Sequence, residues 1–169
     1  DMNLSDIRLP RELETDGTAE TIRQVLAVRT AHLWAGGSLS ISVIAASEVL
    51  RKVLRRASLN GHVRWGLEAI SEKLKEEERG IAHLRESRGL PTGHRVSRLL
   101  LVSNDGAERF YRDIERLLRA HAPRLFGCMV DIDGNELGSL VSGREKQVKV
   151  VMADHKSVVA EIFKAIAIG

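Results

Sequence analysis

The chain has 169 residues, of which 43% are hydrophobic and 29% are charged, proportions usual for a folded globular protein. This composition argues against wholesale disorder and against a membrane-spanning protein, and a chain of this length needs no disulfide or metal to hold its core. The 26 basic and 23 acidic residues leave a net charge of +3, which weakly favours a polyanionic partner. Aromatic residues make up only 4%, so stacking of single-stranded bases is disfavoured.

The first part of the chain, residues 1–16, mixes charged residues with Pro10 and is predicted to be an arm with little regular structure. An amphipathic stripe from Thr18 then predicts a first helix that ends at about Leu33, before the glycines at 36 and 37. The amino-terminal residues contain neither a basic leader nor an apolar block of signal length, so the predicted location is cytoplasmic. The single cysteine, Cys128, lies in an apolar run and is expected to be a small buried side chain.

The next segment, Ser38 to Ile44, alternates apolar and hydroxyl side chains, which is the period of a half-buried strand. An early start of the following helix is the alternative, because Ala45 to Arg56 is helical in pattern. A third helix is expected from about His62 through the charged residues 73–79. The run Gly89-Leu90-Pro91-Thr92-Gly93 is the strongest loop signal, and it suggests a boundary between a helix-rich segment, residues 17–96, and a core, residues 97–169.

The core is predicted to contain three strands, Arg98 to Ser103, Leu125 to Asp131 and Gln147 to Ala153, each followed by a helix. Apolar runs of this kind are typical of parallel strands that are covered on both faces. We therefore expect all three strands to run in one direction. The predicted fold class is α/β: a three-layer α/β sandwich with a short, mostly parallel sheet and an additional helical amino-terminal segment.

Polar residues follow each predicted strand of the core, at the edge where open α/β sheets bind ligands. They are Asn104, Asp105 and Gly106 after the first strand, Asp131 and Asp133 after the second, and Asp154 after the third. These residues predict a binding site for a small ligand or a divalent cation, because carboxylate oxygens suit such ions. A structural role is the alternative, since the same residue types cap helices.

Catalytic motifs do not stand out in the sequence. It contains no phosphate-binding loop of the Walker type, no dinucleotide fingerprint and no nucleophile elbow, and its six histidines lack zinc spacing. We therefore predict no catalytic residues and no cofactor. A non-enzymatic binding module is favoured over an enzyme that acts at the carboxyl edge of the sheet.

Three segments of the core follow each other in a distinctive order. They are Leu99-Leu100-Leu101-Val102-Ser103-Asn104-Asp105, then Glu136-Leu137-Gly138-Ser139-Leu140, then Val150-Val151-Met152-Ala153-Asp154. This order resembles the kink-turn RNA-binding ribosomal proteins of the L-seven-Ae type. Members of that family show an apolar strand ending in a polar stretch with Asp, a helix, a second strand, a Glu-Leu-Gly short helix and a third strand ending at Asp. The resemblance covers residues 97–169.

The resemblance implies an RNA-binding function. The Gly-x-Asn-Glu loop of that family corresponds here to Ala45-Ala46-Ser47-Glu48, of which Glu48 matches. The expected RNA-binding residues lie on the helix that follows this loop, and they are Glu48, Arg51, Lys52, Arg55 and Arg56. A further interpretation is self-association as a homo-oligomer through the helix around Trp65, because tryptophan often anchors interfaces.

Overall fold

Residues 4–88 and 94–169 are described by a computed structural model, in which helices cover both faces of a six-stranded sheet. The elements in chain order are α1 (Arg11–Thr15), α2 (Ala19–Val28), β1 (Thr30–His32), β2 (Ser40–Ile44), α3 (Glu48–Leu59), β3 (Val63–Trp65), α4 (Leu67–Arg88), β4 (Arg98–Val102), α5 (Glu108–Ala120), β5 (Leu125–Val130), α6 (Gly134–Ser142), β6 (Val150–Ala153) and α7 (Lys156–Ile168). The predicted α/β class is confirmed. The loop predicted at 89–93 lies outside the described residues.

The strand order in the sheet is β1-β2-β5-β4-β6-β3. Strands β2, β5 and β4 are parallel, whereas β6 pairs antiparallel with β4, and β1 and β3 add antiparallel edges. The expectation that the last core strand runs in the same direction as the other two is therefore wrong. The register pairs Leu99 with Ala153, so the end of β6 lies beside the beginning of β4.

The reversal of β6 follows from the way the chain leaves α6. Residues 143–149 turn back along this helix, and the amide of Val148 donates to the carbonyl oxygen of Gly134 at the helix start, at 2.9 Å. A side chain at Gly138 would collide with the backbone carbonyl of Lys146, so only glycine permits this approach. The chain consequently re-enters the sheet from the edge at which β5 left it.

The core consists of two apolar clusters, one on each face of the sheet. Leu99 and Leu101 of β4 belong to the cluster under α2, α3, α6 and α7, and the intervening Leu100 and Val102 belong to the cluster under α4 and α5. This alternation is the two-residue period of a strand that is buried on both faces. It produces the three layers predicted from the sequence.

The amino-terminal half differs from its prediction in three places. Residues 4–16 form a 3-10 turn and α1, and they bury Ile7, Leu9 and Leu13, so this segment is not an arm with little regular structure. The helix predicted from Thr18 to about Leu33 is α2, which ends at Val28. The three residues after Arg29 form the edge strand β1. The start of the predicted third helix is instead β3, which ends at Trp65.

Two other local predictions, a strand at Ser38 to Ile44 and a buried Cys128, are confirmed. The strand predicted over Ser38 to Ile44 is β2, and the hydroxyl of Ser47 caps the following helix by accepting from the amide of Leu50 at 3.2 Å. Cys128 is fully buried in β5, and this burial raises the pKa of its thiol. Among the described helices, none is both long enough and apolar enough to cross a bilayer.

Candidate functional site

The carboxyl ends of β4 and β5 bring together several of the residues that the sequence predicts as a ligand site. The side-chain amide of Asn104 donates to Oδ1 of Asp131 at 3.0 Å, and Arg29 lies 3.1 Å from Oδ2 of the same carboxylate. The hydrogen bond from Asn104 and the charge of Arg29 lower the pKa of Asp131. Both oxygens of this exposed carboxylate therefore already have partners within the fold.

Asp105 occupies the centre of this edge. Its Oδ1 accepts from the amide of Gly134 at 3.0 Å, and its Oδ2 lies 3.4 Å from Nζ of Lys149. Partial burial disfavours the charge, but the ammonium of Lys149 and the Gly134 amide outweigh it, so the pKa of Asp105 is lowered. The carboxylate thus ties the loop after β4 to the start of α6.

The remaining predicted residues of this edge have structural partners as well. Asp133 caps α6 by accepting from the amide of Glu136 at 2.8 Å. The amide of Gly106 donates at 2.9 Å to the hydroxyl of Tyr111, which in turn donates to the carbonyl oxygen of Ser103 at 2.6 Å. Together with the bonds of Asn104 and Asp105 to the loop after β5, these contacts connect the two loops, and we call residues 103–106, 131–134 and Lys149 the loop latch.

Asp154 does not belong to the loop latch. Because β6 is antiparallel to β4, Asp154 lies at the opposite edge of the sheet, about 15 Å away along the strand. There its Oδ2 accepts from Nε of Arg64 at 2.7 Å. The expectation that it joins Asp131 and Asp133 in one ligand site is therefore wrong, and the reversed strand is the physical reason.

The basic residues of α3 contact neighbouring helices. Arg51 lies 2.9 Å from Glu136 of α6, Arg56 lies 2.7 Å from Glu161 of α7, and Arg55 donates to the carbonyl oxygen of Leu140 at 3.4 Å. The two other predicted RNA-binding residues, Glu48 and Lys52, are exposed. Most of the positive charge of this helix is thus already engaged in holding α6 and α7 in place.

A larger concentration of positive charge lies at the opposite edge of the sheet, where β4 and β5 begin. A cavity of about 1560 Å³ there is lined by seven Lys and Arg residues and three glutamates, and we call it the basic groove. Its rim carries Arg8, Arg11, Arg85, Arg95, Lys156 and Glu12, and its floor carries Glu77, Glu78, Arg98 and Arg124. The charge excess of the groove is larger than the net charge of +3 of the whole chain.

The floor of the basic groove is a partly buried ionic cluster. Arg98 binds Glu77 through two guanidinium nitrogens, with Nε 3.1 Å from Oε1 and Nη2 3.0 Å from Oε2, and Arg124 donates to the same carboxylate. Burial alone would raise the pKa of Glu77, but the hydrogen bonds and charges of the two arginines outweigh it and lower the pKa. Two guanidinium groups are thereby fixed at the base of the groove.

The rim places like charges side by side. Arg8 and Arg95 are partners in an isolated parallel bridge, and the amide of Val96 donates to the carbonyl oxygen of Arg8 at 2.8 Å. Arg95 lies 3.6 Å from Glu14. Within residues 4–88 and 94–169, no carboxylate lies within ion-pair distance of the exposed cations Arg8, Arg11, Arg85 and Lys156. Directly opposed like charges lower stability, and a bound anion would relieve that cost.

Sequence reasoning missed the basic groove because its charged residues come from five separate segments. Its charges are supplied by residues 8–12, by α4, by residues 95–98 and 124, and by the start of α7. None of these segments is a run of like charges. The single cue is the excess of basic over acidic residues in the composition, which gives no position.

Two comparisons with known proteins complete the description of the site. No protein-family model matches the chain, and no curated protein matches it either. Within the part of the chain that the structure describes, no three His, Cys, Asp or Glu side chains are grouped so that they could hold a metal ion.

Proposed function

We propose that this chain is a non-enzymatic binding module for structured RNA, and that RNA lies in the basic groove rather than on α3. The observation that carries the proposal is the charge of the groove, where seven cations face three carboxylates. Phosphate groups are the polyanionic partner that such a surface attracts, and their neutralisation releases counterions. The resemblance of residues 97–169 to kink-turn RNA-binding ribosomal proteins supports the same class of partner. A cytoplasmic location agrees with this proposal.

The groove favours contact with the phosphate backbone over reading of bases. Among the described residues its lining contains no Phe, Tyr or Trp, and its aromatic rings are the smaller imidazoles of His83, His94 and His121, so strong base stacking is disfavoured. Arginine is suited to phosphate because its planar guanidinium can donate two parallel hydrogen bonds. We therefore expect a preference for the regular backbone of a duplex or hairpin, with little dependence on sequence.

Charge reversal at the rim tests the proposal. In a variant with Arg8→Glu, Arg11→Glu and Lys156→Glu, we expect hairpin RNA to bind about a hundredfold more weakly, as measured by fluorescence anisotropy. The control carries the same change of charge at Arg109, Arg144 and Lys146, which are exposed and outside the groove. An equal loss in the control would contradict the placement of RNA in the groove.

Salt dependence tests the mode of binding. If four phosphates are neutralised, the slope of log K against log salt is about −3 to −4, and each rim cation removed makes it shallower by about 1. The reversal of Arg51, Arg55 and Arg56 on α3 is the competing test, because the sequence predicted that surface. A larger loss there than at the rim, in a variant that remains folded by circular dichroism, would place the RNA on α3.

A further inference from the structure

A second cavity, of about 540 Å³, lies at the amino-terminal ends of β2 and β5. This volume falls within the range of roughly 300–1,000 Å³ that is usual for small-molecule sites. Ala122 lines both this cavity and the basic groove, and it is the one described residue that they share. The two cavities therefore adjoin but are built from different side chains, and we call the second one the apolar cavity.

The floor of the apolar cavity is hydrocarbon. Its buried side chains come from both faces of the sheet, with Ile7 and Phe126 on one side and Ile41, Leu118 and Leu125 on the other. Gly127 lets Leu118 of α5 pack directly on the backbone of β5, because a Cβ at this position would lie 2.8 Å from both methyl groups of Leu118. A ligand with a flexible aliphatic body would gain free energy by leaving water for this floor.

The rim of the apolar cavity is polar, and its one cation among the described residues is the guanidinium of Arg119. Nη2 of Arg119 donates to the hydroxyl of Ser38 at 2.6 Å, and its Nε lies 3.9 Å from a carboxylate oxygen of Glu115. The other oxygen of Glu115 accepts from the amide of Leu39 at 3.3 Å. A guanidinium has five donors, so Arg119 retains donors for an anionic group at the mouth of the cavity.

The hydroxyl groups that line the apolar cavity are either buried and already hydrogen-bonded or exposed at its mouth. Ser42 is buried, and its hydroxyl is committed to the carbonyl oxygen of Leu26 at 2.7 Å. Thr30 and Ser40 are exposed at the rim. The cavity thus offers hydrocarbon at its base and hydrogen-bonding groups only at its mouth, which is the polarity of an amphiphile with one charged end.

We propose that the apolar cavity binds an aliphatic monocarboxylate, with the hydrocarbon chain on the floor and the carboxylate beside Arg119. This ligand class goes beyond the proposed binding of RNA and uses none of the rim cations of the basic groove. The charge complementarity is specific to a single negative group, because Arg119 is the one cation in the described lining. Binding is reversible and involves no covalent step.

Isothermal titration calorimetry with the full chain tests the proposal. Octanoate is expected to bind with one site per chain, and its dissociation constant is expected to be about fourfold lower for each methylene group added in the series from butanoate upward. Octan-1-ol, which has the same chain without the charge, is expected to bind more weakly. The absence of saturable octanoate binding would overturn the proposal, and so would an affinity independent of chain length.

Two arginines of α5, one inside the cavity lining and one outside it, test how the ligand's carboxylate is bound. Arg119→Gln is expected to weaken octanoate binding about fivefold and to leave octan-1-ol unchanged. Arg116→Gln is the control, because Arg116 lies on the same helix, is exposed and does not line the cavity. Equal effects of the two substitutions would overturn the role of Arg119.

Two substitutions at the rim of the apolar cavity test whether the hydrocarbon chain of octanoate lies in this cavity. Ala27→Phe and Thr30→Phe each place a ring over the mouth at an exposed position, on α2 and on β1. Each variant is expected to lose octanoate binding at least tenfold while retaining the wild-type circular dichroism spectrum. Unchanged binding in both folded variants would overturn the assignment to this cavity. Because these residues lie outside the basic groove, hairpin RNA affinity is expected to be unchanged, which keeps this test separate from that of RNA binding.

Discussion

The two edges of the sheet carry charge in different ways. At the carboxyl edge, Asp131 and Asp105 each face one cation, Arg29 and Lys149, and the amides of the loop latch take up the other oxygens. At the amino edge, the basic groove has more cations than carboxylates. Polar residues at strand ends therefore indicate a ligand site only when the partners they already have in the fold are counted.

The largest effect on stability is expected at Gly138, where residues 143–149 return along α6 to the carboxyl edge of the sheet. Gly138→Ala places a methyl group against the backbone carbonyl of Lys146, three residues before Lys149, which pairs with Asp105. We expect the free energy of unfolding to fall by about 3 kcal/mol in urea denaturation. If the latch and the groove are independent, RNA affinity measured on the folded fraction stays unchanged.

The matched control for this glycine is Gly80, which lies inside α4, where an added Cβ would meet no described atom within 4 Å outside the neighbouring backbone of its own helix. Gly80→Ala is expected to raise the free energy of unfolding by about 0.5–1 kcal/mol, because alanine favours a helix interior. A loss at Gly80 as large as that at Gly138 would show that the return of the chain along α6 is not the cause.

The next effect is expected at the floor of the basic groove. Glu77→Gln removes the charge that Arg98 and Arg124 share, and both arginine side chains are largely buried, at 15% and 14% exposure. We expect a loss of about 2 kcal/mol of stability, since two guanidinium groups would face a neutral amide. Hairpin RNA affinity should rise about threefold, because the groove gains one positive charge.

A loss of stability together with a gain in RNA affinity distinguishes Glu77→Gln from a variant that is only partly unfolded. Glu76→Gln is the control, because Glu76 is an exposed neighbour on α4 that does not line the groove. It is expected to change stability by less than about 0.5 kcal/mol. Weaker RNA binding in Glu77→Gln would indicate that the main effect of Glu77 on RNA binding is to position Arg98 and Arg124, and not to neutralise their charge.

Local patterns in the sequence predicted most of this fold. The alternation in residues 38–44 and the apolar runs at β4 and β5 gave β2, β4 and β5, because side-chain period and burial are properties of short segments. Short edge strands such as β1 have no such period, since all three of its residues are exposed. The direction of β6 depends on the close approach at Gly138, a contact between distant backbones that no local pattern encodes.

The candidate sites likewise combine residues that local patterns placed correctly with residues whose position depends on distant contacts. Asn104, Asp105, Asp131 and Asp133 were expected at one edge, and the structure places them there because each follows or flanks a parallel strand. Asp154 was misplaced together with β6. The basic groove could not be predicted, because the pairing of Arg8 with Arg95 joins residues that are far apart in the chain.

A smaller effect is expected at the loop latch. Asn104→Ala removes the donor to Asp131, which keeps its pair with Arg29, so we expect a loss of about 1 kcal/mol in urea denaturation. The coupling in a double-mutant cycle with Asp131→Ala should be smaller than the effect of Asn104→Ala alone, because both side chains are exposed to solvent. An effect on RNA affinity would contradict the separation of the two edges.

The smallest effect is the pH dependence of the loop latch. The pKa of Asp105 is lowered from 3.8 in the folded chain, so its ionised form contributes stability above this value and loses the contribution as the pH falls through the folded pKa. Asp105→Asn is therefore expected to be less stable than wild type at pH 7 and to approach it in acid. Urea midpoints measured down to pH 3 test this, with Gly80→Ala as a control whose difference from wild type should not depend on pH. A constant deficit for Asp105→Asn would show that geometry, rather than charge, makes Asp105 hold the loops together.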